Sequence, residues 1–106
     1  MNGYEMMWML VLFDLPVVEK EERKSANQFR NFLLDNGFTM VQYSIYTKLF
    51  SGKDACTKYY KMIQNNLPED GKVDIITITD KQYANIISYN KGKKQEKNNP
   101  DQLLLF

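Results

Sequence analysis

The chain has 106 residues, 43% hydrophobic and 25% charged, with a formal net charge of +1; this describes one ordinary globular domain and excludes a strongly basic nucleic-acid binder. It has no His and a single Cys, Cys56, which excludes disulfides, the usual zinc sites and a His-based nucleophile triad. No apolar run approaches ~20 residues and the start shows no secretory signal, so the expected location is cytoplasmic, with no membrane span.

Residues 6–13, MMWMLVLF, are apolar at every position, which predicts a strand buried on both faces. Alternation puts Met6, Trp8, Leu10, Leu12 and Asp14 on one side, and Met7, Met9, Val11 and Phe13 on the other. Pro16 closes the strand. Residues 19–36 read as a helix: acids crowd its start, Ala26, Phe29, Phe32 and Leu33 share a stripe, and Asn36-Gly37 is a stop signal.

Residues 38–50, FTMVQYSIYTKLF, are rich in β-branched and aromatic side chains. They split into two strands around Gln42 to Ser44, although one long strand fits the length equally well. Residues 53–66 predict a second amphipathic helix, with Ala55, Tyr59, Met62 and Ile63 on one face. Residues 72–80, KVDIITITD, predict a strand that is apolar on both parities. KQYANIISYN suggests a short extra strand near 85–90. A domain over 1–90 is then followed by a basic linker and an apolar tail, DQLLLF, over 91–106. The charge is unevenly spread: residues 1–80 carry nine Lys/Arg against eleven acids, whereas 81–106 carry five Lys against two.

The order β-α-β-β-α-β predicts an α+β, ferredoxin-like sandwich with a short extra C-terminal strand. Two helices cover only one face of a four-stranded sheet, yet strands 1 and 4 are apolar on both. The open face therefore predicts a homodimer packed sheet to sheet.

Asp14 ends the first strand at the rim of that face. One reading is a turn residue or helix cap. The other uses the two-fold symmetry of the dimer, which brings two Asp14 carboxylates together. Such a pair needs a counter-charge, and Mg²⁺ is the natural hard cation for it. The ion would act on a phosphodiester or activate water.

MLVLFDLP at 9–16, KEERK at 20–24, FRNFLLDNGFTMVQYSIY at 29–46 and NNLPEDGKVDIITITDKQY at 65–83 together resemble the small nuclease-fold protein of the CRISPR adaptation module. The likeness is to the type II variety and covers about residues 7–90. It implies a ferredoxin-like homodimer with the metal-binding, catalytic Asp at the position of Asp14. It also implies a part in spacer acquisition, where the protein clamps duplex DNA beside the CRISPR integrase and its own cleavage is dispensable. Two departures bear on hydrolysis: Arg23 and Arg30 are the only arginines, and Phe13 stands where Tyr is common. A free-standing metal-dependent nuclease acting on RNA or DNA is the alternative. A third reading, a regulatory domain binding a small ligand at a dimer interface, lacks a Gly-rich ligand loop.

Other residues are open to two readings. Lys20, Arg23 and Lys24 are placed to hold phosphates without sequence choice, or they form a solvated helix face with Glu21 and Glu22. Lys91, Lys93, Lys94 and Lys97 make either a cationic arm for DNA or a solubilising linker. Leu103, Leu104, Leu105 and Phe106 dock on the integrase partner or fold back on their own dimer. Tyr43, Tyr46, Tyr59 and Tyr60 are read as core or interface residues rather than base-stacking ones, and Cys56 as a small buried hydrophobe.

Overall fold

The computed structural model describes residues 5–91. The elements are β1 (Met7–Asp14), α1 (Lys20–Asp35), β2 (Thr39–Gln42), β3 (Ile45–Phe50), α2 (Lys53–Gln64), β4 (Lys72–Thr79) and α3 (Asp80–Ala84). The strands form one antiparallel sheet in the order β2-β3-β1-β4, the ferredoxin-like arrangement. β1 is an inner strand, which explains its unbroken apolar run.

One face of the sheet carries the core. Met7, Met9, Val11 and Phe13 of β1 are buried against Phe29 and Leu33 of α1 and Cys56 and Ile63 of α2. Each large side chain removed from water in this way contributes about 1.5–3 kcal/mol before entropy is counted. The start of α1 is held by Glu22, whose carboxylate accepts the backbone N–H groups of Val18 (3.0 Å) and Glu19 (2.8 Å). Those donors would otherwise lack partners at the helix end. At the other end the Asn36 amide donates to the Phe32 carbonyl at 2.8 Å, and Gly37 takes φ 89° to reverse the chain.

The split at 42–44 is real. The β2–β3 turn has no glycine because Ser44 itself takes the left-handed conformation, φ 69°. Its carbonyl accepts the Phe13 N–H at 3.1 Å, so the turn is clamped to the end of β1.

The extra strand near 85–90 is not formed. Among the described residues, 85–91 pair with no strand, and Asp80–Ala84 form a short helix. The reason is a capping box: Thr79 Oγ1 accepts the Gln82 N–H at 3.1 Å, and Gln82 Oε1 accepts the Thr79 N–H at 2.9 Å. These two bonds start a helix at the last residue of β4.

That helix also corrects the expectation of a fully open second face. Tyr83 stacks on Trp8, with centroids 3.9 Å apart and planes within 9°. Trp8 Nε1 donates to Asp80 Oδ1 at 2.7 Å, and Thr47 on the same face is only 2% exposed. Burial pushes the Tyr83 phenol above its ordinary pKa, and the Thr47 hydroxyl beside it pulls it partly back. The rest of the face is uncovered: Leu49 is 39% and Ile76 45% exposed. Leu10, Leu12 and Ile45 are half-buried.

Candidate nucleic-acid site at the end of the central strand

Asp14 is the last residue of β1 and lies on the open face, as strand parity requires. It is exposed and pairs across the ladder with Lys72. Lys72 Nζ lies 3.6 Å from Asp74 Oδ2, so the lysine is drawn toward the next carboxylate on that face. Among the described residues the Asp14 carboxylate has neither a hydrogen bond nor an ion pair. It caps no helix: Glu22 performs that work. The turn-or-cap reading of Asp14 therefore has no bond to support it.

Two features position the backbone that carries this carboxylate. Gly71, at φ 102°, lies so close that a Cβ there would fall 2.7 Å from the Asp14 carbonyl oxygen and 2.7 Å from Leu15 Cδ2. On the other side the Ser44 turn is bonded to Phe13. Asp14 thus sits in a shallow depression with Tyr43, Ser44, Ile45, Lys72 and Asp74 around it.

None of the predicted phosphate-binding residues among the described ones lines this depression. Arg23 Nη1 donates to the carbonyls of Val17 (3.2 Å) and Val18 (2.6 Å), strapping down the loop that follows Asp14. Lys24 lines a separate groove with Leu15, Pro16, Glu69 and Asp70. Lys20 is exposed at the first position of α1, and Lys91 is exposed at the end of the described chain. Lys93, Lys94, Leu103, Leu104, Leu105 and Phe106 lie outside the described residues. Cys56 is buried, as expected, and desolvation raises its thiol pKa.

One residue lines the depression that the sequence did not single out for it, Tyr43, and a second, Arg30, stands behind its ring. Tyr43 is 80% exposed at the tip of the β2–β3 turn, unlike Tyr46, which is buried, and Tyr59, which packs on Phe38 and Phe50. The Arg30 guanidinium lies 5.6 Å from the Tyr43 ring and 5.9 Å from that of Phe13. The one available signal was a large aromatic at a turn position where Gly or Asn is usual.

Among the described residues no group of three or more His, Cys, Asp or Glu is placed to hold a metal ion. No helix among them is long and apolar enough to cross a membrane.

Residues 7–86 match the family model described as CRISPR associated protein Cas2. A Paracidovorax avenae protein named CRISPR-associated endoribonuclease Cas2 is 43% identical, over 100% of this chain and 99% of its own. A Flavobacterium psychrophilum protein of the same name is 41% identical, over 98% of this chain and 90% of its own. A solved structure described as "Crystal structure of cas2" superposes with a TM-score of 0.59 at 18% identity, covering 89% of this chain and 95% of that one. The structural likeness carries the fold, the sequence matches span nearly the whole chain, and the chain belongs to the CRISPR-associated Cas2 family.

Proposed function

We propose that the chain acts as a homodimer in CRISPR spacer acquisition, binding duplex DNA with the CRISPR integrase, and that its Asp14 pair holds Mg²⁺ for phosphodiester hydrolysis. The observation that carries this reading is the unpartnered Asp14 carboxylate at the end of an inner strand, beside a partly uncovered apolar sheet face. Relatives named endoribonuclease support nucleic-acid hydrolysis as the chemistry.

The donor set has to be tested against the metal. One protomer offers Asp14 and Asp74, and Lys72 stands by the latter. That is too little negative charge for a hard divalent cation, which prefers several oxygen ligands. Two copies facing each other across a two-fold axis supply two free Asp14 carboxylates and meet the need. When bound, Mg²⁺ would polarise the phosphoryl oxygens and lower the pKa of attacking water. The chain's own residues do the rest: Gly71 and Ser44 position the backbone that carries the carboxylate, and Arg23 holds the following loop in place. Lys20, Lys24, Arg23's remaining donors and the Lys91, Lys93, Lys94 run contribute phosphate contacts that carry affinity and not sequence choice. The tail Leu103, Leu104, Leu105 and Phe106 docks on the integrase.

A free-standing endonuclease is the second reading, and the name of the relatives favours RNA as its target. One experiment addresses both. Purified protein and Asp14→Ala are given RNA or duplex DNA with Mg²⁺ or with chelator, and the same pair is assayed for integration with the integrase. Cleavage is expected from the wild type with Mg²⁺ alone, and only background from D14A. If both proteins support integration and neither cuts, the metal role of Asp14 is wrong and the scaffold role stands. Removal of residues 91–106 should abolish integration and spare cleavage.

A further inference from the structure

We infer that Tyr43, backed by Arg30, is a stacking platform for an unpaired nucleotide base beside Asp14. The inference rests on reading the Asp14 depression as a nucleic-acid site, and it assigns to that site a base-stacking residue which the proposed duplex contacts do not use.

Scattered exposed apolar side chains are common and need no explanation. Tyr43 differs because it is held. Ser44, the next residue, adopts φ 69° although it is not glycine, a conformation with a steric cost that is found at functional sites. The Ser44 carbonyl is tied to the Phe13 N–H at 3.1 Å, so the turn cannot swing away from the strand that carries Asp14. Arg30 is fixed in turn. Its guanidinium lies over Phe13, and its Nη1 donates to Asn27 Oδ1 at 3.2 Å. The cation stands 5.6 Å from the Tyr43 ring, while 80% of the residue still faces solvent.

A ring on a tethered turn, with a cation on one side and water on the other, offers a surface for a second flat π-system. Every base has such a face, so the contact tolerates any sequence. Inside a duplex both faces of a base are already stacked, so the platform engages unpaired nucleotides. Tyr43 and Asp14 border the same depression, so a base on the ring brings its own backbone to the carboxylate. Arg30 adds positive charge behind the ring.

The test uses the full chain with Asp14→Ala to prevent cutting, alone and combined with Tyr43→Ala or Tyr43→Phe. The probes are short RNA and DNA oligonucleotides carrying 2-aminopurine, single-stranded or in blunt duplexes. Affinity is read by anisotropy and stacking by 2-aminopurine fluorescence. Y43A is expected to weaken single-strand binding roughly tenfold, the loss of one stacked base. It should also remove the 2-aminopurine response and leave duplex affinity within about twofold, while Y43F, which keeps the ring, behaves as the parent. A response from RNA alone, or from DNA alone, supports the platform and identifies the sugar it accepts. Unchanged single-strand affinity in Y43A overturns the inference, as does equal weakening of both forms. Failure of the Asp14 reading is seen separately: D14A would still cut, while the Y43A comparison keeps its own outcome. Absence of binding to every probe overturns both.

Discussion

Gly71 shows how much of the site depends on one absent side chain. Its φ of 102° lies where L-residues are strained, and an added Cβ would meet backbone at Asp14 and Leu15. Backbone cannot step aside as a side chain can. Gly37 is the internal comparison: its φ is 89°, but its Cβ would meet only Lys48 Nζ, the end of a flexible chain. Gly71→Ala is therefore expected to cost about 1–3 kcal/mol and more than Gly37→Ala, by urea unfolding. It should also lower cleavage, because the atom it displaces belongs to Asp14. Strand parity placed Asp14 on the open face, and the family resemblance is what turned that position into a site candidate. The Tyr43–Arg30 pair was not legible. The two residues are thirteen positions apart, and only the packing of α1 against the end of the β2–β3 hairpin brings them together.

Among the elements, β1, β4 and the two long helices were readable because their apolar periodicity is dictated by burial. α3 was not, because the chain after β4 remains rich in β-formers and only Thr79 and Gln82 mark the change. Those two residues bond each other's backbone, and a five-residue helix has little else to start it. Thr79→Ala is expected to cost about 1 kcal/mol and to loosen α3 from the sheet. The check is direct, because Trp8 is the only tryptophan in the chain and Tyr83 stacks on it. Its emission should shift to the red as the indole gains water, while far-UV circular dichroism changes little.

For the whole molecule, the decisive question is what covers the remaining apolar face. α3 shields the Trp8 end only. At the other end Leu10, Leu12, Ile45 and Ile76 lie between α3 and Asp14, and the proposed dimer seats a second copy there with its two-fold axis near Asp14. In the proposed dimer, association and metal binding are one problem: the face would supply the affinity that holds two like charges near each other, and the ion would offset their repulsion. Ile76→Glu separates the two contributions. Ile76 is 45% exposed in the protomer, so a charge there costs the single chain little. In a sheet-to-sheet dimer the same charge would be buried without a partner, a penalty of several kcal/mol. I76E should therefore sediment as a folded monomer with an unchanged thermal transition at low concentration. It should also lose Mg²⁺-dependent cleavage although its Asp14 is intact, because a lone Asp14 carboxylate lacks the second one that a hard cation requires. An I76E protein that remains dimeric would move the interface off this face, and with it the pairing of the two carboxylates.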